Sequence, residues 1–132
     1  MRIIILIAIA MICCSCEKDE CNAGSEPAPP YGTPSNVMRD NGSDGYASID
    51  FIYNCYNGQY VSVFYVRQDG CSQYEKYSES SSNGICSSPS VMQAISNLSS
   101  HQRTMYLINH GYKVEVKMFP ISSKSREDVL FP

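Results

Sequence analysis

Apolar and polar residues alternate differently in successive parts of the chain. From Ile3 to Ile12 the residues are apolar without a break, and from 17 to 46 apolar residues are scattered among prolines, glycines and charges. Pro27, Pro29, Pro30 and Pro34 block regular structure there, and Asn41-Gly42 and Asp44-Gly45 are turn signals. At Ala47-Ser48-Ile49-Asp50-Phe51 the pattern becomes an alternation with the period of a strand. Asn57-Gly58 then separates this segment from Tyr60–Val66, and two such runs around Asn-Gly predict a tight hairpin. A two-residue turn pairs Tyr56 with Gln59 and, counted back without interruption, Phe51 with Phe64 and Ile49 with Val66. Those four apolar residues then share the core face. Asp50, Asn54, Tyr56, Val61, Val63 and Tyr65 occupy the other face.

The pattern lapses over residues 68–88, where the run Ser78-Glu79-Ser80-Ser81-Ser82-Asn83-Gly84 has the composition of an exposed loop. A helix is expected next. Ser88 suits the N-cap and Pro89 the first helical position, where its missing N–H would be unpaired anyway. Val91, Ile95 and Leu98 form its apolar stripe, and it ends by Ser100. A second hairpin is predicted from Thr104–Ile108 and Tyr112–Phe119, with Asn109-His110-Gly111 as the turn and Gly111 in the left-handed position. Tyr112, Val114, Val116 and Met118 face one way and Lys113, Glu115 and Lys117 the other, the mark of a half-buried strand. Ser122–Arg126 reads as loose, with Val129–Phe131 able to form a short edge strand. The fold class implied is α+β: a small antiparallel sheet of two hairpins with one helix packed on it. An all-β sandwich is the alternative.

The first apolar run is half the roughly 20 residues that a membrane-spanning helix needs. With Arg2 before it and small residues after it, it has the layout of a secretory signal peptide. Its exit, Ser15-Cys16, resembles a bacterial lipoprotein signal, in which a cysteine after a small residue is lipidated and becomes the first residue of the mature chain. Cys13 stands where that family usually has Leu, and Cys14 and Cys13 are poorer candidates because Cys13 and Ile12 precede them. Lys18-Asp19-Glu20 resembles the lysine-plus-two-acids run of surface-exposed lipoproteins in Bacteroidota. The resemblance implies a signal over residues 1–15 and a lipid anchor at Cys16; the residue pattern and the length then give an anchor and tether over 16–46 and a single domain over 47–132. It implies outer-membrane attachment with display at the cell surface; a periplasm-facing or released protein is the alternative. It covers about twenty residues and is silent on the domain.

Composition narrows the partners. Arg2 is the only charged residue before Cys16, so the rest of the chain carries nine Lys and Arg against thirteen Asp and Glu. With no basic cluster, neither nucleic acid nor an anionic lipid surface is an expected partner, and the membrane is met only through the N-terminal lipid. Of seven cysteines, the signal and anchor take Cys13, Cys14 and Cys16. Cys21, Cys55, Cys71 and Cys86 remain, an even number that in an exported chain reads as two disulfides. Cys71–Cys86 is the preferred pairing because it closes a local loop, leaving Cys21 with Cys55. No C-x-x-C pair favours a metal site.

Catalytic signals are weak. His101 and His110 lie at a helix end and in a turn, and Gly42-Ser43-Asp44-Gly45 lacks the spacing of a nucleophile elbow. Asp40, Asp44 and Gly45 hint at a calcium loop, but Gly42 fills a ligand position, and a plain turn is the better reading. No phosphate loop or dinucleotide fingerprint occurs, so no cofactor and no catalytic residue are expected. Ten tyrosines and no Trp stand out. Tyr suits recognition surfaces, whereas surface glycan binding would lean on Trp. The expectation is a small envelope lipoprotein that binds a protein or envelope component through Tyr56, Val61, Val63 and Tyr65. The alternatives are an immunity-like inhibitor of a toxin or hydrolase and, less favoured, a small envelope enzyme.

Overall fold

The computed structural model describes residues 25–41, 45–68 and 70–121. The signal, Cys16, Lys18-Asp19-Glu20, Cys21 and the tail from 122 onward lie outside them. The architecture is α+β: a five-stranded open antiparallel sheet with two short helices on one face. The strands are β1 (Asn36–Asp40), β2 (Ala47–Tyr56), β3 (Gln59–Arg67), β4 (Glu75–Asn83) and β5 (Val114–Met118), and they lie side by side in chain order. Between β4 and β5 come a 3₁₀ turn (Ile85–Ser87), α1 (Pro89–Ile95) and α2 (Ser100–Asn109).

The first hairpin forms as its turn dictates. Asn57 and Gly58 both take positive φ, as a type I′ turn requires, and Tyr56 pairs with Gln59. The register further back differs from the uninterrupted count. Tyr53 pairs with Val61, Phe51 with Val63 and Ile49 with Tyr65, because β2 carries one extra residue between Tyr53 and Tyr56. Ser35 and Cys86 hold this bulge: the Asn54 N–H donates to Ser35 Oγ (2.9 Å), and the Cys86 sulfur lies 3.5 Å from the Asn54 carbonyl. A one-residue shift changes which residues meet across the strands. Ile49, Phe51 and Tyr53 therefore share a face with Val61 and Val63, and Ile52 shares the opposite face with Tyr60.

The structure corrects several sequence-based expectations. Asn36–Asp40, assigned to the tether, pairs with β2 as the first strand of the sheet. The serine run expected as a loop is β4, paired on one side with β3 and on the other with β5. Its serines carry no apolar alternation to reveal it, yet Ser80 and Ser82 are buried, and Ser82 Oγ donates to the Lys113 carbonyl (2.9 Å).

Thr104–Ile108 belongs to α2, so it forms no hairpin with Tyr112–Phe119, and β5 pairs with β4 instead. Ser99 and Gln102 form a capping box at the start of that helix, with the Gln102 N–H donating to Ser99 Oγ (3.3 Å) and the Ser99 N–H to Gln102 Oε1 (3.1 Å). Gly111 does take positive φ, but it ends a helix. Its N–H bonds the Ile108 carbonyl and the Tyr112 N–H bonds the Leu107 carbonyl, the two bonds of a Schellman motif. Pro89 opens α1 after Ser88 as expected, although the Ser88 side chain makes no capping bond. On β5, Val114 packs on the helix-side core, whereas Val116 and Met118 are exposed, so the strand is less buried than its alternation suggests.

The sheet thus has a core on each side. Ile49, Phe51, Tyr53, Val61 and Val63 form one, with Tyr31, Val37, Tyr56, Tyr65 and Tyr74 around it. Ile52, Tyr60, Ile85, Ile95 and Leu107 form the other, beneath the helices.

Candidate functional site

The four hairpin residues expected to form an exposed patch do not form one. Val61 and Val63 lie in the core, 4% and 0% exposed. Tyr56 and Tyr65 are half-buried at its margin, Tyr56 stacked on Tyr31 (4.7 Å between centroids) and Tyr65 edge-on to Phe51 (5.8 Å). The covering element is the turn at Tyr31–Gly32. Its Tyr31 N–H donates to the Tyr53 hydroxyl (3.2 Å), which in turn donates to the Gly32 carbonyl (3.1 Å). The Tyr31 hydroxyl donates to Glu79, whose other oxygen pairs with Lys76 (2.8 Å). This bond to Glu79, helped by burial, pushes the Tyr31 phenol up to about 12. Burial raises the Glu79 carboxyl, but the bonds from Lys76 and Tyr31 outweigh it and leave it below its ordinary value.

The predicted disulfide pairing is also corrected. Cys86 is bonded to Cys55, not to Cys71. Cys71 is disulfide-bonded too. The bulge at Asn54 and Cys55 and the 3₁₀ turn after β4 bring Cys55 and Cys86 together, with Cα atoms 5.4 Å apart. That contact depends on strand order, which local loop length does not reveal.

The helix-covered face holds the polar centre of the domain. Asp50 on β2 is buried and paired with Arg103 on α2, 53 residues away. Ser62 on β3 completes the cluster, donating to Asp50 Oδ1 (2.6 Å) and accepting from Arg103 Nη2 (3.2 Å). Arg103 Nη1 donates to the Leu98 carbonyl (2.7 Å) and lies 3.2 Å from Met38 Sδ. Both carboxylate oxygens of Asp50 are engaged, and both terminal nitrogens of the guanidinium. Burial lowers Arg103 to about 10, so it stays charged at neutral pH. The Arg103 Nε–H is left with no partner in the protein.

Beside this cluster lies a cleft of about 250 Å³ between the sheet and the helices. Ile52, Tyr60, Ile95 and Arg103 form its buried floor, and the exposed Ser35, Asn36 and Ser96 its mouth. Asn54 and Met92 line the wall between. Tyr60, 2% exposed like Arg103, also has a hydroxyl without a partner. Burial raises the Tyr60 phenol far above its ordinary value, so it is a neutral O–H. Two residues of the floor thus each keep one donor that is buried from solvent and has no partner in the protein. Its lining contains no histidine, cysteine or carboxylate.

His101 lies on α2 and His110 at its C-terminal end, where the ring stacks on Tyr106 (3.9 Å) and Nδ1 meets the Tyr106 carbonyl (2.8 Å). Neither lines the cleft. Among the described residues no group of His, Cys, Asp and Glu is arranged to hold a metal ion, and no helix is long and apolar enough to cross a membrane. Comparison with protein-family models, curated proteins and solved structures gave no match.

Sequence reasoning passed over Arg103, Asp50 and Tyr60. Two signals bore on them: the Ser99-x-x-Gln102 capping box, which starts a helix that would turn Arg103 and Leu107 to one face, and a carboxylate between Ile49 and Phe51 that is the one charged residue of its strand.

Proposed function

We propose that this protein is an exported lipoprotein of the cell envelope, anchored by lipid on Cys16, whose single domain acts by binding. The Ser15-Cys16 exit after the Ile3–Ile12 run supports the anchor, and Lys18-Asp19-Glu20 supports display at the cell surface. The observation that carries the binding role is the cleft beside Arg103. It is lined by polar and apolar side chains, with no histidine, cysteine or carboxylate among them. The cleft takes the place of the hairpin patch of Tyr56, Val61, Val63 and Tyr65, which is closed by the chain's own Tyr31.

Metabolic labelling with a fatty-acid analogue tests the anchor. The wild type should take up label and fractionate with membranes, and Cys16→Ala should do neither. A labelled, membrane-bound Cys16→Ala protein would overturn the assignment. Replacing Lys18, Asp19 and Glu20 together by Ala should leave labelling intact and protect the domain from protease added to whole cells. Equal cleavage of wild type and variant would reject the surface signal.

A further inference from the structure

β5 is one border of the sheet, and among the described residues no strand pairs with its outer edge. The β4–β5 ladder fixes which backbone groups that edge presents. The Phe119 N–H donates to the Tyr77 carbonyl (2.9 Å), one step beyond the Ser78–Met118 pair. Hydrogen-bonded and non-bonded pairs alternate along an antiparallel ladder, so Glu115 and Lys117 also bond to β4. Val114, Val116 and Met118 therefore turn their N–H and C=O groups outward. Their side chains share the helix-side face, where Val116 and Met118 are 47% and 44% exposed.

An open edge of this kind is a template for another strand. Its sequence, Val114-Glu115-Val116-Lys117-Met118, is complementary to itself run backwards. Set antiparallel to a second copy and centred on Val116, it places Val116 opposite Val116, Val114 opposite Met118 and Glu115 opposite Lys117. The outward groups of Val114, Val116 and Met118 then fall in the hydrogen-bonded pairs. Glu115 and Lys117 fall in the non-bonded pairs, where opposing Cα atoms are only about 4.5 Å apart and side chains meet most closely. Lys117 also lies across from Glu79 on β4, but that carboxylate is already held by Lys76 and Tyr31. The opposite border of the sheet has no such match. β1 paired with itself about Met38 would set Asn36 against Asp40 and Val37 against Arg39.

We infer that the outer edge of β5 is a homodimer interface, in which two copies pair about a two-fold axis at Val116 and join their sheets into one. This goes beyond the binding role proposed above and depends on neither the cleft nor the anchor. One strand pair is a small interface, so the association is weak, with a Kd on the order of 10 µM.

Sedimentation equilibrium of the exported full chain carrying Cys16→Ala tests it, because that variant lacks the proposed attachment site whichever way the anchor test falls. The protein should pass from monomer to dimer over roughly 1–100 µM. Glu115→Lys sets Lys against Lys, and Lys117→Glu sets Glu against Glu, so each alone should weaken the dimer about tenfold. Mixed together, the two variants should form a heterodimer as tight as the wild type, because every opposed pair again has opposite signs. Val116→Pro removes an outward N–H and no bond to β4; it should abolish the dimer and leave thermal unfolding nearly unchanged. Monomer at every concentration would overturn the interface. A chain ending at Ile121 that dimerises where the full chain does not would make the tail the occupant of the edge, and would overturn it too. A dimer indifferent to both charge changes, or no recovery on mixing them, would place the contact elsewhere.

Discussion

The two faces of the central strands use alternate residues of the same segments and are held together in opposite ways. On one face Ile49, Phe51 and Tyr53 meet Val61 and Val63, and the Tyr31 turn closes over them, with the Tyr31 and Tyr53 hydroxyls both hydrogen-bonded. On the other, Asp50, Ile52, Tyr60 and Ser62 face two helices that bring in Arg103, and the packing stops short of filling the space. The apolar face depends on non-directional burial and tolerates small losses. The polar face depends on a few directed bonds, and two of its buried donors have no partner in the protein. A domain this small has little hydrophobic core to spare. A buried ion pair beside a cleft, in place of well-packed apolar residues, is therefore what a binding role would retain and stability alone would not.

The sharpest way to break this contrast is to remove one member of the ion pair. Asp50→Ala leaves Arg103 charged, buried and unpaired, and should destabilise the domain by about 3–5 kcal/mol. Val63→Ala, on the apolar face, should cost about 2 kcal/mol by losing buried methyl groups. Urea unfolding of the two variants compares the faces directly, and equal losses would remove the distinction. Replacing Asp50 by Leu and Arg103 by Met together should recover most of the loss, because no lone charge remains.

The disulfide comes next. Cys55–Cys86 ties the bulged end of β2 to the turn before α1, across a sequence separation of 31 residues. Opening it with paired Cys55→Ala and Cys86→Ala changes should cost roughly 3.7 kcal/mol in the chain-entropy model. The loss should be felt most on the cleft side, where Asn54 lies. Hydrogen exchange of β2 and α1 amides reads this; uniform loosening of both faces would contradict it.

The smallest effect belongs to the Tyr31–Glu79 bond on the apolar face. The Glu79 carboxyl lies below its ordinary value when folded, so its contribution is complete above about pH 4.5 and fades as acid protonates it. The Tyr31 phenol lies above its ordinary value of 10, so its contribution is present below pH 10 and lost as pH rises towards about 12. Tyr31→Phe should shrink both the acid loss and the alkaline one, to which the buried Tyr60 also contributes, and change stability at neutral pH by about 1 kcal/mol or less. Unfolding midpoints from acid to alkaline pH follow both arms, and an unaltered profile would mean the hydroxyl bond contributes nothing.

Much of the local structure was legible in the sequence. Asn57-Gly58 gave a hairpin, Pro89 a helix start, Gly111 a left-handed residue and Tyr112–Phe119 a region containing a strand. The candidate site was hardly legible. Tyr56, Val61, Val63 and Tyr65 were selected on an uninterrupted register, whereas the bulge at Asn54–Cys55 and the Tyr31 turn place two of them inside the core and two at its edge. Arg103 stands just before Thr104–Ile108, whose β-prone residues read as a strand, whereas the Ser99–Gln102 capping box starts a helix that takes in both.

The sequence by itself determined the features set by near neighbours: turns that need positive φ, helix starts, the alternation of the first hairpin, and the address-like run ahead of the domain. Those preferences act over a few residues, through backbone sterics and local hydrogen bonds. Only the tertiary structure decided that a serine-rich run is an inner strand, that Cys86 reaches Cys55, and that Asp50, Ser62 and Arg103 converge beside an open cleft. Each of these needs partners far apart in the chain. A serine pairs in a sheet when strands flank it on both sides, and a charge becomes buried when its counter-charge arrives with it.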